Sequence, residues 1–263
     1  MLLAIDAGNT NCVFAVHDGS DFIQSWRCKT DAVKTGDEYA SWLHQLFQMH
    51  KLKFTDITDV IISSVIPSAD FNLRELCEKH FNVNPLFVTA AQLSNMIEIA
   101  VDRPSDVGAD RLVNSIAAME AHDTPLVIID FGTATTFDVI SKDRRYMGGA
   151  IAPGVNLSMK ALYDAAAKLP KIDIQMPDKV IGDTTVGAMQ AGVYWGYVSM
   201  IEGLLKRTSD EMKESPRVLA TGGLAKLFAQ SIPAIKAVDN MLTLKGLYAV
   251  HKNLSKQKMK KVG

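Results

Sequence analysis

An apolar run that ends in Asp-x-Gly occurs twice in this chain, and that repetition constrains the fold more than any other feature. Leu3-Ala4-Ile5-Asp6-Ala7-Gly8-Asn9-Thr10 is echoed by Leu126-Val127-Ile128-Ile129-Asp130-Phe131-Gly132-Thr133. Each copy reads as a buried strand that carries a carboxylate into a glycine turn. Repetition at so long an interval points to duplicated domains, not to a short-period solenoid.

The segments around each copy support two α/β halves. After the first turn, Cys12 to Val16, the Asp18-Gly19-Ser20 turn and Phe22 to Cys28 read as the rest of a three-stranded meander. Thr35-Gly36-Asp37-Glu38 has capping-box spacing, and Tyr39, Trp42, Leu43, Leu46 and Phe47 follow at helical intervals. Val60 to Ile62 and Pro85 to Val88 read as buried strands with a helical segment, Phe71 to Phe81, between them. The second half shows strand signals at Thr136 to Ile140, Gly149 to Ala152 and Val218 to Ala220, and helical periodicity from Thr185 to Leu205. No Pro/Gly/Ser linker separates the halves. The expected division is 1–117 and 118–263, within the helix that starts near Arg111.

Composition removes several classes of function. With 48% hydrophobic residues a core is affordable, and 28 Lys and Arg against 29 Asp and Glu leave no basic excess for nucleic acid. Only the tail, Lys256 to Lys261, is locally basic, and it reads as a solvated end. Three cysteines, Cys12, Cys28 and Cys77, with no CxxC spacing argue against a disulfide framework or a zinc site. The six histidines show no metal-binding spacing. No run approaches the roughly 18 apolar residues of a membrane span, and the first residues lack a basic leader. A cytoplasmic protein without nucleic-acid or membrane partners is the expectation.

Three groups of residues can carry chemistry. Asp6 to Asn11 suits a phosphate, with Asp6 able to hold a hydrated Mg²⁺ against it, although an ordinary Asn- and Gly-rich hairpin has the same composition. The second copy at Asp130 favours phosphate binding, because two such turns can grip a nucleotide from the walls of an interdomain cleft. Thr221-Gly222-Gly223 can bring backbone close to an adenosine. Between the copies, Asp106-Val107-Gly108-Ala109-Asp110-Arg111 opens a helix. Asp110 there is either a cap or a base that takes a proton from a substrate hydroxyl. Arg111, unfavourable with the dipole of a first turn, can clamp an anion. No GxxxxGK[ST], GxGxxG, HRD or DFG motif is present, so P-loop, Rossmann and protein-kinase readings fail.

With these residues in view the chain resembles type III pantothenate kinases, of the acetate and sugar kinase, Hsp70 and actin superfamily. The resemblance spans almost the whole chain. It rests on the two Asp-x-Gly turns and on Trp26-Arg27, Thr35-x-Asp37-Glu38-Tyr39 and Ser63-Ser64-Val65-x-Pro67. Gly108-Ala109-Asp110-Arg111, Gly148-Gly149-x-Ile151-x-Pro153-Gly154, Gly182-x-x-Thr185-x-x-Ala188-Met189-Gln190-x-Gly192 and Thr221-Gly222-Gly223 complete the set. It implies two duplicated ribonuclease-H-like (actin-like ATPase) domains, mixed sheets flanked by helices, and ATP-dependent phosphorylation of pantothenate, the first step of coenzyme A biosynthesis.

By position, the resemblance implies that Asp6, Ala7, Gly8, Asn9, Thr10, Asn11, Cys12 and Val13 line the ATP phosphates and that Thr133 touches ATP. Asp110 becomes the proton acceptor, with Gly108, Ala109 and Arg111 holding pantothenate. Asp130 binds a monovalent cation, K⁺ or ammonium, and Thr185 reaches pantothenate across a homodimer interface. One position departs from the family pattern: Val101 stands where a tyrosine usually precedes the proline, here Pro104, by three residues, and Arg103 stands where asparagine is common. The pocket wall at Val101 is expected to differ. Two rivals remain, another small-molecule kinase of the superfamily and a non-catalytic regulator that keeps the fold.

Overall fold

The computed structural model describes residues 1–166 and 169–262, the last five as backbone only. The lysines of the tail beyond Gln257 therefore have no described side chains.

The first 97 residues build one mixed sheet. β1 (Leu2–Ala7), β2 (Asn11–His17) and β3 (Phe22–Lys29) form the expected antiparallel meander, and β4 (Asp59–Ser64) and β5 (Leu86–Phe87) add in parallel, giving the order β3-β2-β1-β4-β5. Strand alternation sorts its faces. Leu3, Ile5, Ala7, Phe14 and Val16 join one buried cluster with residues of α1 (Gly36–Met49) and α2 (Pro67–Leu76). Burying each of the larger ones, Leu3, Ile5, Phe14 and Val16, contributes roughly 1.5–3 kcal/mol. The α1 capping box forms as its spacing predicts, Thr35 Oγ1 accepting from Glu38 N while Thr35 N donates to the Glu38 carboxylate. α2 starts at Pro67, earlier than the apolar pattern suggests, because a proline at the first helical position lacks only an amide that would go unpaired there. A short α3 (Ala90–Leu93) follows.

The second sheet repeats the first. β7 (Leu126–Phe131), β8 (Ala134–Ile140), β9 (Arg145–Pro153), β10 (Arg217–Gly222) and β11 (Ile235–Val238) correspond to β1 to β5, and β6 (Glu98–Ile99) adds beyond β9, giving β11-β10-β7-β8-β9-β6. The parallel and antiparallel pairings match as well. α5 (Val155–Ala165), α6 (Thr185–Met212) and α7 (Ala225–Ala229) accompany this sheet, and Tyr194, Tyr197, Ile201 and Leu205 of α6 pack with Val127, Ile129 and Phe131.

The compact units are not the consecutive halves 1–117 and 118–263. One comprises Met1–Ile97, Arg103–Ala117 and the chain from Thr243 onward, the other Glu98–Asp102 and Ala118–Leu242. The cut near residue 117 lies inside α4 (Ala109–Ala121), but α8 (Leu242–Val262) belongs with the first sheet. Specific contacts hold it there: Thr243 Oγ1 donates to Asn114 Oδ1 at 2.8 Å, and the Tyr248 ring stacks on His17 with centroids 3.7 Å apart. Gly246 lies so close to α4 that a Cβ would stand 2.2 Å from the Val113 carbonyl oxygen. Glu98 and Ile99 pair with Arg145 and Tyr146 and so bind their segment to the second sheet.

Candidate active site

In the first unit, β1 and β2 meet at the turn that follows Asp6. Ala7 pairs with Cys12, and Gly8 N donates to Asn11 O at 3.0 Å, so this amide closes the turn and does not face outward. Asn9, Thr10 and Asn11 are the exposed part, whereas the side chains of Ala7 and Cys12 are buried. Those two can meet a ligand only through backbone. The turn is propped from just past the end of β3 by Thr30, whose N donates to Thr10 O at 3.0 Å and whose hydroxyl donates to Gly8 O at 2.6 Å. Nothing local in the sequence marks Thr30 for that task. Asp6 is half-buried, flanked in register by Val13 and by Ser63, a fully buried serine on β4.

α4 begins in the same unit with Gly108-Ala109-Asp110-Arg111. Asp110 Oδ1 accepts from Arg111 N at 2.9 Å, so the capping reading is realised in part. The carboxyl fits because residue 108 is glycine: a Cβ there would lie 2.5 Å from Asp110 Oδ1. Burial pushes the Asp110 pKa above the ordinary aspartate value, with the Arg111 amide and guanidinium opposing that shift. A carboxylate held this way is a better proton acceptor than a free one. Arg111 is half-buried at the same helix start, and its carbonyl is bonded by Ser115 Oγ at 2.8 Å.

The second unit rebuilds the turn one residue shorter. Phe131 pairs with Thr135, leaving three residues between paired ends where the first turn has four, and Gly132 N donates to Ala134 O at 3.0 Å. Asp130 has Thr221 as its register neighbour, so each aspartate stands beside a buried hydroxyl residue on the adjacent parallel strand, Ser63 or Thr221. Gly222, at φ +92°, leaves room for the Asp130 carboxylate, because a Cβ would meet its Oδ1 at 2.6 Å. The segment Thr221-Gly222-Gly223 is thus also a wall of the Asp130 niche. Thr133 is exposed, its carbonyl tied to Gly154 N at the start of α5 at 3.1 Å.

Two other predicted residues also lie in the second unit. Val101 is placed by the β6–β9 pairing, and its Cγ1 stands 3.4 Å from where Gly148 would carry a Cβ. Thr185 is the first residue of α6 and exposed, while its neighbour Thr184 is the cap, accepting from Gly187 N at 3.0 Å. Thr185 borders an apolar groove of about 600 Å³ with Leu162, Leu169, Ala188, Met189 and Val193.

The donor sets suit single-carboxylate cation binding. Among the described residues no cluster of three or more His, Cys, Asp or Glu could hold a metal alone. Mg²⁺ commonly takes one or two carboxylates and completes its shell with water and substrate phosphates, which fits Asp6 beside an exposed polar turn. Asp130, a single half-buried carboxylate beside the second turn, is a donor of the same kind.

Duplicated mixed sheets, each delivering an aspartate into a polar turn, define the actin-like fold class. Solved structures agree on the fold. MreB 5 of Spiroplasma citri bound to AMPPNP superposes with TM-score 0.53 at 11% identity, over 99% of this chain and 98% of that one. A Campylobacter jejuni protein named for the Baf family of transcriptional activators reaches TM-score 0.58 at 18% identity, over 97% and 99%. Within this class the chain belongs to the type III pantothenate kinase family, whose profile matches residues 2–207. A type III pantothenate kinase of Paramagnetospirillum magneticum is 52% identical over 97% of this chain and 98% of its own length.

Proposed function

We propose that this chain transfers the γ-phosphoryl group of ATP to the primary hydroxyl of pantothenate, giving 4′-phosphopantothenate for coenzyme A biosynthesis. The observation that carries the reading is the Asp110 carboxyl, seated against Gly108 with a raised proton affinity, at the helix start of the unit that also holds the exposed turn 8–11. Family membership supplies the substrate.

Asp110 orients the pantothenate hydroxyl and accepts its proton as the oxygen attacks the γ-phosphorus and ADP departs. Arg111, with the backbone of Gly108 and Ala109, binds the pantothenate carboxylate and amide. Asn9, Thr10 and Asn11 donate to phosphate oxygens, the backbone of Ala7, Gly8 and Cys12 and the side of Val13 line that site, and Thr133 contacts the nucleotide from the second turn. Mg²⁺ at Asp6 and K⁺ or ammonium at Asp130 offset phosphate charge when bound. Val101 is assigned to pantothenate binding as well.

Thr185 acts on pantothenate bound by a second copy. The apolar groove beside it and the exposed Leu157, Leu162, Val180, Ile181 and Val186 form the kind of surface that a homodimer covers. No helix among the described residues is long and apolar enough to cross a membrane, and the chain carries no excess of basic residues for nucleic acid. We place the enzyme in the cytoplasm.

Pantothenate-dependent ADP release by the purified protein, with K⁺ and with Na⁺ in its place, tests the reading. Release that needs pantothenate and falls when Na⁺ replaces K⁺ is expected. Absence of pantothenate dependence overturns the substrate, and equal rates in both salts overturn the cation role of Asp130.

A further inference from the structure

Two thiols face each other beneath the first turn. β2 and β3 pair Cys12 directly with Cys28, and all three cysteines are free. The bond from Thr30 N to Thr10 O makes 10 and 30 a hydrogen-bonded pair, so 12 and 28, two steps along the ladder, are of the same type. Their Cα atoms then lie about 5.5 Å apart, inside the roughly 4.4–6.8 Å range of disulfides. Both side chains turn to the same face, Cys12 in the core cluster and Cys28 against it.

We propose that Cys12 and Cys28 are a redox-sensitive dithiol that hydrogen peroxide closes into a disulfide, and that closure weakens nucleotide binding by the 7–12 turn. Directly opposed Cβ atoms sit about 4.5–5.5 Å apart, whereas a disulfide draws them to about 3.8 Å. Closure therefore pulls β3 toward β2, two residues before Thr30, the prop of Gly8 O and Thr10 O. A bond strained in this way is also easily reduced, as a reversible switch requires.

Chemistry sets the order of events. Burial raises both thiols, Cys12 the more strongly, while the nearby Lys34 ammonium works the other way on each. Cys28, the more exposed of the two, reacts first. Its thiolate attacks one peroxide oxygen, forming S–O and breaking O–O, and the departing hydroxide takes a proton to become water. Cys12 sulfur then attacks the Cys28 sulfenic sulfur, forming S–S and breaking S–O, and its own proton leaves with that hydroxide as a second water. Two thiols and one peroxide become one disulfide and two waters.

The proposal takes the 7–12 turn as the nucleotide site and so rests on the function proposed above, although the link itself does not. The full chain is treated with hydrogen peroxide, alkylated, digested without reduction and mapped by mass spectrometry, and AMPPNP affinity is followed by thermal shift. A peptide joining Cys12 to Cys28 is expected, with AMPPNP affinity lowered on the order of tenfold, the weight of one positioning hydrogen bond. Dithiothreitol restores both. Cys28→Ser keeps the untreated affinity and becomes insensitive to peroxide, while Cys77 marks oxidation unrelated to the pair. Cys12 and Cys28 recovered on separate alkylated peptides, or a linked protein with unchanged AMPPNP affinity, overturns the proposal. If only the substrate reading fails, untreated protein binds AMPPNP without pantothenate-dependent ADP release, and the link is still read by mass.

Discussion

Replacing Asp110 by asparagine removes a charge and keeps the shape. Asparagine retains an oxygen that can accept from Arg111 N at the 2.9 Å seen for Asp110, and its amide is no larger than the carboxyl that fits against Gly108. The fold therefore loses little, on the order of 0.3–1 kcal/mol of charge–dipole interaction at the start of α4. Catalysis loses its proton acceptor, which costs about 10²–10⁴ in rate, or roughly 3–5 kcal/mol of barrier at 1.36 kcal/mol per decade. The assay is steady-state ADP release against pantothenate, with circular dichroism to check the fold. A drop in kcat of at least a hundredfold is expected with KM for pantothenate changed far less. The wild-type pH profile adds a second reading. Burial raises the Asp110 pKa, so activity needing its ionised form is lost, as pH falls, at a higher pH than an ordinary aspartate would set. A folded Asp110→Asn variant within a few-fold of wild-type turnover would refute the base assignment.

Thr30→Val removes the hydroxyl that donates to Gly8 O while leaving the backbone bond to Thr10, so KM for ATP should rise about 2–10-fold, the equivalent of 0.5–1.5 kcal/mol; an unchanged KM would show that the prop is idle. Gly222→Ala sets a Cβ 2.6 Å from Asp130 Oδ1 at a left-handed φ, costing about 1–3 kcal/mol. Chemical denaturation measures that loss, and an undiminished midpoint contradicts the niche. His17 is buried, accepts from Gly19 N through Nδ1 and stacks on Tyr248, and its pKa is lowered chiefly by burial, with Asp18 and Asp21 opposing and His251 reinforcing. Its depressed folded-state value means that its stabilising contribution is complete above the ordinary histidine pKa of 6.5 and is lost as pH falls through the lower folded value. Amide exchange in α8 should rise over that acidic window, and His17→Phe should flatten the response.

Local chemistry wrote much of this molecule into its sequence. The Asp-x-Gly copies, the Thr35–Glu38 box and the α6 periodicity each depend on residues close in the chain, and each is realised. What stayed hidden depends on register between distant segments. Thr30 carries no signature, because its role comes from lying across the ladder from Thr10. Cys12 and Cys28 are merely 16 apart in number, and only the pairing of β2 with β3 makes them neighbours. The Asp130 niche depends on Gly222, from a strand that begins nearly ninety residues later. The engagement of the Gly8 N–H is hidden for a simpler reason, since only the folded turn shows it bonded to Asn11 O.

The return of α8 to the first unit has a consequence for synthesis. The ribosome finishes the second unit, which ends at Leu242, before it has made the helix that covers His17 and Val113. The α8-facing side of the first sheet stays uncovered until α8 has been made, whereas every residue of the second unit precedes that helix or opens it. Nascent chains stalled before residue 243 would therefore leave uncovered one side of the very unit that carries Asp6 and Asp110.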